Sequence, residues 1–166
     1  MQKQTNTVLT PASFIRSNFI IFLGFLGGQI ALMIISVTIV DEAYINYQDT
    51  AEIYFYAVPL AAVLCFFGGN FIYRQKLNSN TVSNTLRKKV ANFQTAALLR
   101  YAFIEASALL GIVMFITTQN LYYLLIAMVM VLYFITLKPT KNLIEKDIHF
   151  SLEQRREFQK LNQPIE

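Results

Sequence analysis

Phe19 to Val40 reads FIIFLGFLGGQIALMIISVTIV, twenty-two consecutive positions without a charged side chain. A helix of that length rises about 33 Å, enough to cross the roughly 30 Å hydrocarbon core of a bilayer. A secretory signal would have a shorter apolar region, about 7–15 residues, and a small-residue cleavage site. Here the run ends in Asp41-Glu42-Ala43-Tyr44, so an uncleaved first span is expected.

Three further apolar stretches follow: about 53–72 (uncharged), about 97–117 (containing Arg100 and Glu105), and about 121–137 (uncharged). With the first span at about 19–40, the pattern predicts an all-α membrane protein in which residues 1–166 form one integral membrane domain. Its four transmembrane helices are expected as two antiparallel hairpins, with 138–166 as a cytoplasmic tail. Composition agrees: 55% of the 166 residues are hydrophobic and 14% charged, against roughly 25% charged in soluble chains. The mean hydropathy is +0.43.

The charges are sorted. Lys3 and Arg16 precede the first span. Arg74, Lys76, Arg87, Lys88, Lys89 and Arg100 lie between the second and third or at the third's start. Lys138, Lys141, Lys146, Arg155, Arg156 and Lys160 follow the fourth. These are all fourteen basic residues, and a four-span topology puts every one on the same side. The opposite loop carries Asp41, Glu42, Asp49 and Glu52 and no Lys or Arg. The positive-inside rule then places both termini and the 74–96 loop in the cytoplasm and residues 41–52 outside. Tyr44, Tyr47, Tyr54, Tyr56, Tyr122 and Tyr123 fall near the outer face, Tyr73 and Tyr101 near the inner one, as expected of an aromatic belt.

Net charge +4 and a pI of about 9.2 raise the question of nucleic acid. Membrane-flanking charge accounts for the basic residues, so no nucleic-acid partner is expected.

Between the second and third spans, Asn78, Ser79, Asn80, Thr81, Ser83 and Asn84 form a polar, turn-like cluster. Leu86, Val90, Phe93 and Ala97 then recur at helical spacing, so the third helix should begin several turns before the bilayer, with Arg87, Lys88 and Lys89 near anionic headgroups. Thr118, Gln119 and Asn120 alone join the last two spans. Lys138-Pro139 marks the exit from the bundle. Ser151 with Gln154 matches a capping box and predicts a short amphipathic helix to about Leu161.

Glu105 is the one acidic residue inside a predicted span, about 12 Å along its helix from Ala97. Such a group should face protein or water. Ala102, Ala106, Ala108 and Gly111 surround it with small side chains that let another helix approach. Tyr101, one turn earlier, is a candidate hydroxyl donor. Gln29, about 15 Å along the first span from Phe19, is the candidate partner at matching depth. Arg100 should snorkel to the inner interface. Glu105, Gln29 and Tyr101 thus form either a packing cluster or an ion site.

Gly24 and Gly28 make a GxxxG spacing, which suits close packing with a helix of this chain or of a second copy. Pro59 should kink the second helix one turn from the outer face.

Enzyme chemistry is not expected. The one histidine, His149, lies in the tail, and the single Cys65 permits neither an internal disulfide nor a thiol-ligated metal site. No phosphate loop or HExxH occurs, and no cofactor or metal is expected. The outer acidic residues lack EF-hand spacing.

Arg100 to Gly111 (RYAFIEASALLG), Lys138-Pro139-Thr140 and the amphipathic tail resemble the last seventy residues of small, uncharacterised bacterial membrane proteins with four transmembrane helices. That resemblance implies a bacterial inner-membrane location and attaches no activity. The expected partners are the lipid bilayer and either a second copy or a larger membrane complex. The functional expectation is a structural or accessory subunit of an inner-membrane assembly. The alternative is a small transporter or channel with Glu105 on a proton or cation path.

Overall fold

The computed structural model describes residues 10–47, 52–79 and 85–165, which fold as six helices. They are α1 (Pro11–Ile39), α2 (Ile53–Asn78), α3 (Leu86–Thr118), α4 (Leu121–Thr136), α5 (Lys141–Asp147) and α6 (Leu152–Gln159). Asp49, and with it part of the expected acidic loop, lies outside the described residues, as does most of the polar cluster after Ser79.

Three of the helices, α1, α2 and α3, are long and apolar enough to cross a membrane. α4 has 16 residues and a rise of about 24 Å. It reaches span length only together with α5, from which it is bent by 84°. The expected fourth span at 121–137 is therefore one residue shorter at its end than the sequence suggests. The helix that carries the first span starts before its apolar run. Thr10 caps α1 with a capping box to Ser13, and Pro11 occupies its first turn. Thr85 caps α3 twelve residues before Ala97, where the stripe from Leu86 predicts. α2 continues through Pro59 to Asn78.

α3 is the centre of the molecule. Leu86, Val90, Phe93, Ala97, Tyr101, Ile104, Ala108, Ile112 and Phe115 are all buried, a stripe at the three-and-four spacing of one helical face. α2 and α4 pack on it most extensively, and α1 lies against α3 and α4. Two glycines allow the closest approaches. A Cβ on Gly111 would fall 2.8 Å from the Tyr123 carbonyl oxygen and 3.0 Å from Ala127 Cβ on α4. One on Gly69 would fall 3.1 Å from Phe103 Cβ on α3. The chain reverses between α3 and α4 through Gln119, whose φ of 58° is left-handed.

At one end of the bundle, residues 41–47 close over this reversal. Tyr44 exchanges backbone hydrogen bonds with Gln119 and Leu121, and Asn120 Nδ2 donates to the Asn46 carbonyl at 3.0 Å. At the other end the tail is docked on the helices. Lys89 is 1% exposed, and its ammonium donates to the His149 carbonyl at 2.7 Å and to Gln154 Oε1 at 2.9 Å. Burial pushes its pKa below the ordinary lysine value. The expectation that Lys89 joins Arg87 and Lys88 at lipid headgroups thus fails for Lys89. The stripe containing Leu86, Val90 and Phe93 carries it inward, three residues after Leu86.

α6 begins at the expected Ser151–Gln154 capping box. Phe158 is fully buried and Leu152 is 82% exposed, so the helix buries one of its two large apolar side chains against the protein. Glu145 ties α5 to α6 by a 3.5 Å pair with Arg155, beside its 3.7 Å pair with Lys141.

The tyrosines divide differently from a simple belt. Tyr44, Tyr47, Tyr54 and Tyr56 are exposed, whereas Tyr73, Tyr101 and Tyr123 are buried in the core.

Candidate functional site

Glu105 stands half-buried on α3 where α1 passes closest to it: its Oε1 lies 4.0 Å from the position a Cβ on Gly28 would take. Ala108 is fully buried against the bundle, but Ala102 and Ala106 are exposed. The small residues around Glu105 therefore face in two directions, one into the core and one outward. Gly24 and Gly27 are exposed too, with nothing within 4 Å of an added Cβ. The Gly24–Gly28 pair consequently makes no close helix contact among the described residues. Close packing falls to Gly69 and Gly111 instead.

The three polar residues expected together are neighbours in depth but are not joined by hydrogen bonds. Tyr101, packed between Phe22, Phe25 and Phe134, donates its hydroxyl to the Leu137 carbonyl at 3.3 Å. It caps the end of α4 and does not serve the carboxylate one turn on. Gln29 is fully buried on the face of α1 that also holds Phe22 and Ser36. Its amide oxygen and nitrogen have no hydrogen-bond partner among the described residues. A buried amide left unpaired costs about 1–3 kcal/mol, which makes Gln29 the least satisfied side chain in the core.

A second polar cluster, not expected from the sequence, lies nearer the basic end. Arg100 does not run outward along its helix. It turns across to α4, where its Nη2 donates to the Tyr133 hydroxyl at 2.8 Å. Its guanidinium lies 4.8 Å from the centre of the Tyr73 ring and 5.9 Å from that of Tyr133. The Tyr133 hydroxyl in turn donates to Asn70 Oδ1 at 3.0 Å, and Asn70 Nδ2 donates to the Phe66 carbonyl at 2.7 Å. One turn of α2 further on, Tyr73 donates to Asp147 Oδ2 at 2.6 Å. Arginine, two tyrosines, asparagine and aspartate from α2, α3, α4 and α5 thus form one connected group.

The cue missed in the sequence was spacing. Asn70, Tyr73 and Arg74 fall on one side of α2 at three- and four-residue intervals. Tyr133, in an otherwise apolar run, supplies the single hydroxyl that can reach them. Arg100 Nε remains buried without a hydrogen bond, so the guanidinium holds unused donor capacity.

Among the described residues no cluster of three or more His, Cys, Asp or Glu side chains is arranged to hold a metal ion. No protein-family model, curated protein or solved structure matches the chain. The geometry of these two clusters therefore carries the functional reading by itself.

Proposed function

We propose that the chain is an integral protein of a bacterial inner membrane, four spans in two antiparallel hairpins with both termini cytoplasmic, and that it works as a structural or accessory subunit. The sorting of all fourteen basic residues to one side supports the orientation. α4 is short enough that the bend into α5 would place Lys138 and Lys141 at the headgroups.

The observation that carries the accessory role is the outward seat beside Glu105. A charged side chain at the bilayer centre costs about 2.5–3.5 kcal/mol on insertion scales. In this chain the carboxylate has neither an ion pair nor a hydrogen bond among the described residues. Gly28 lies beside it, Gly24 is exposed one turn away on the same helix, and Ala102 and Ala106 are exposed on α3; small residues of this kind let a foreign helix come close enough to hydrogen-bond the carboxylate. A further helix seated there would satisfy Glu105 and cover the glycines at once.

A photo-crosslinking residue at Ala102 tests this in native membranes. Crosslinks to another membrane polypeptide, or to a second copy of this chain, are expected. Crosslinks to lipid alone would contradict the reading.

A transporter or channel reading draws on one different observation, the orphaned amide of Gln29, which a permeating ion or water could engage. The cavities at the basic end and along α2 and α4 are lined by other residues, and this favours the accessory role.

A further inference from the structure

Three adjoining cavities run from the basic end of the bundle along the crevice beside α2, and their chemistry changes in order. The first, about 300 Å³, is lined by Asn70, Tyr73, Arg74, Arg100, Lys146, Asp147 and His149 among others. It presents two arginines and a lysine against one carboxylate, and that carboxylate is already bonded to the Tyr73 hydroxyl.

The second, about 480 Å³, shares Asn70, Arg74 and Arg100 with the first and adds Phe66, Phe67, Phe71 and Tyr133. The third, about 310 Å³, shares Phe66 and Phe67 with the second. It is otherwise closed by Pro59, Ala62, Val63, Ile126, Val129 and Met130, with no charged residue. Polar and cationic, then mixed, then wholly apolar: this is the order of a phospholipid from headgroup to acyl chain.

The length fits as well. From Asn70 to Pro59 the axis of α2 covers about 16 Å, close to half of the roughly 30 Å hydrocarbon core.

We propose that this continuous groove binds one anionic phospholipid of the cytoplasmic leaflet, its phosphate between Arg74, Arg100 and Lys146 and an acyl chain against Phe66, Phe67 and Val63. Arg100 supplies the fixed point. Tyr133 and the face of the Tyr73 ring hold its guanidinium still at the wall of the groove. A planar guanidinium held in place suits a phosphate oxygen. Arg74 and Lys146 are exposed and close over the anion from α2 and α5. A basic pocket on the cytoplasmic side of a helix bundle is the usual physical setting for an anionic headgroup. The apolar continuation distinguishes this pocket from one for a free anion. The inference requires that the chain sit in a bilayer, and it is independent of whether a partner helix covers Glu105.

The test uses the full chain purified in neutral detergent, with native mass spectrometry reading retained lipid and thermal unfolding reading stabilisation. Dioleoyl phosphatidylglycerol, dioleoyl phosphatidylcholine and inorganic phosphate are each added. Phosphatidylglycerol should bind roughly tenfold or more tighter than phosphatidylcholine, and phosphate alone should leave the unfolding temperature unchanged.

The double variant Arg74→Gln/Lys146→Gln, which alters only exposed side chains, should lose that preference. Arg87→Gln/Lys88→Gln, removing the same charge outside the groove, should keep it. Val63→Trp should weaken retention by filling the apolar end. Equal binding of the two lipids, or equal loss in both double variants, would overturn the proposal. Stabilisation by phosphate alone that Val63→Trp leaves untouched would also overturn it, and would identify the ligand as a free anion.

Discussion

Replacing Gly111 by alanine adds one methyl group where α3 and α4 are closest. The new Cβ would lie 2.8 Å from the Tyr123 carbonyl oxygen, 3.0 Å from Ala127 Cβ and 3.2 Å from Ala127 N. Two of these atoms are backbone, so no side chain can turn aside and the helices must separate. Overpacking of this kind costs about 1–3 kcal/mol, while alanine gains about 0.8–1.0 kcal/mol over glycine in helix propensity. Gly24→Ala gains the same propensity and meets nothing within 4 Å. Propensity therefore cancels between the two variants, and the difference isolates the packing cost. Gly111→Ala should be less stable than Gly24→Ala by about 1–3 kcal/mol. Denaturant titration in mixed micelles, followed by far-ultraviolet circular dichroism, measures it. Equal stability, or a more stable Gly111→Ala, would refute the close approach of α4 to α3 at this point.

Lys89→Met leaves the His149 carbonyl and Gln154 Oε1 without their charged donor, a loss of about 1.5–3 kcal/mol for a charge-assisted hydrogen bond. Limited proteolysis should then cut the α5–α6 segment faster while α1 to α4 stay intact. Tyr133→Phe removes the hydroxyl that links Arg100 to Asn70 and should lower stability by about 1–3 kcal/mol; an unchanged unfolding midpoint would count against the network. Glu105→Gln keeps shape and hydrogen-bonding capacity while removing titration, so folding should be nearly unchanged. Ion flux into liposomes present in the native protein and absent from this variant would promote the transporter reading.

The helices were legible because apolar length, the Ser151–Gln154 box and the Leu86–Ala97 stripe are local signals, each tied to a few neighbouring residues. The bury-or-expose decision was legible only where one helix face was clearly marked. Lys89 looked like a membrane-flanking charge because its neighbours Arg87 and Lys88 are. Its inward turn follows from helical phase with Leu86 and Phe93 and from acceptors sixty residues away. α5 escaped notice because its seven residues follow Pro139 and carry no apolar stripe of their own. At Glu105 the sequence identified the residue and its small neighbours but not which of them face out, since Ala102, Ala106 and Ala108 are alike in type and differ only in angle. The Arg100 cluster was hidden for a further reason. Arg100 next to a span has a satisfactory solution in snorkelling, and only the fold brings Tyr73 and Tyr133 close enough to offer a better one.

The central claim, a bundle that crosses a bilayer with its basic end in the cytoplasm, is tested most directly by cysteine accessibility in intact cells. With the native Cys65 replaced by serine, single cysteines are placed at Glu42 and at Lys88, both exposed and at opposite ends of the bundle. A membrane-impermeant maleimide should label the Glu42 position in intact cells and the Lys88 position only after permeabilisation. Labelling of the Lys88 position in intact cells, or protection of both positions until lysis, would contradict the account.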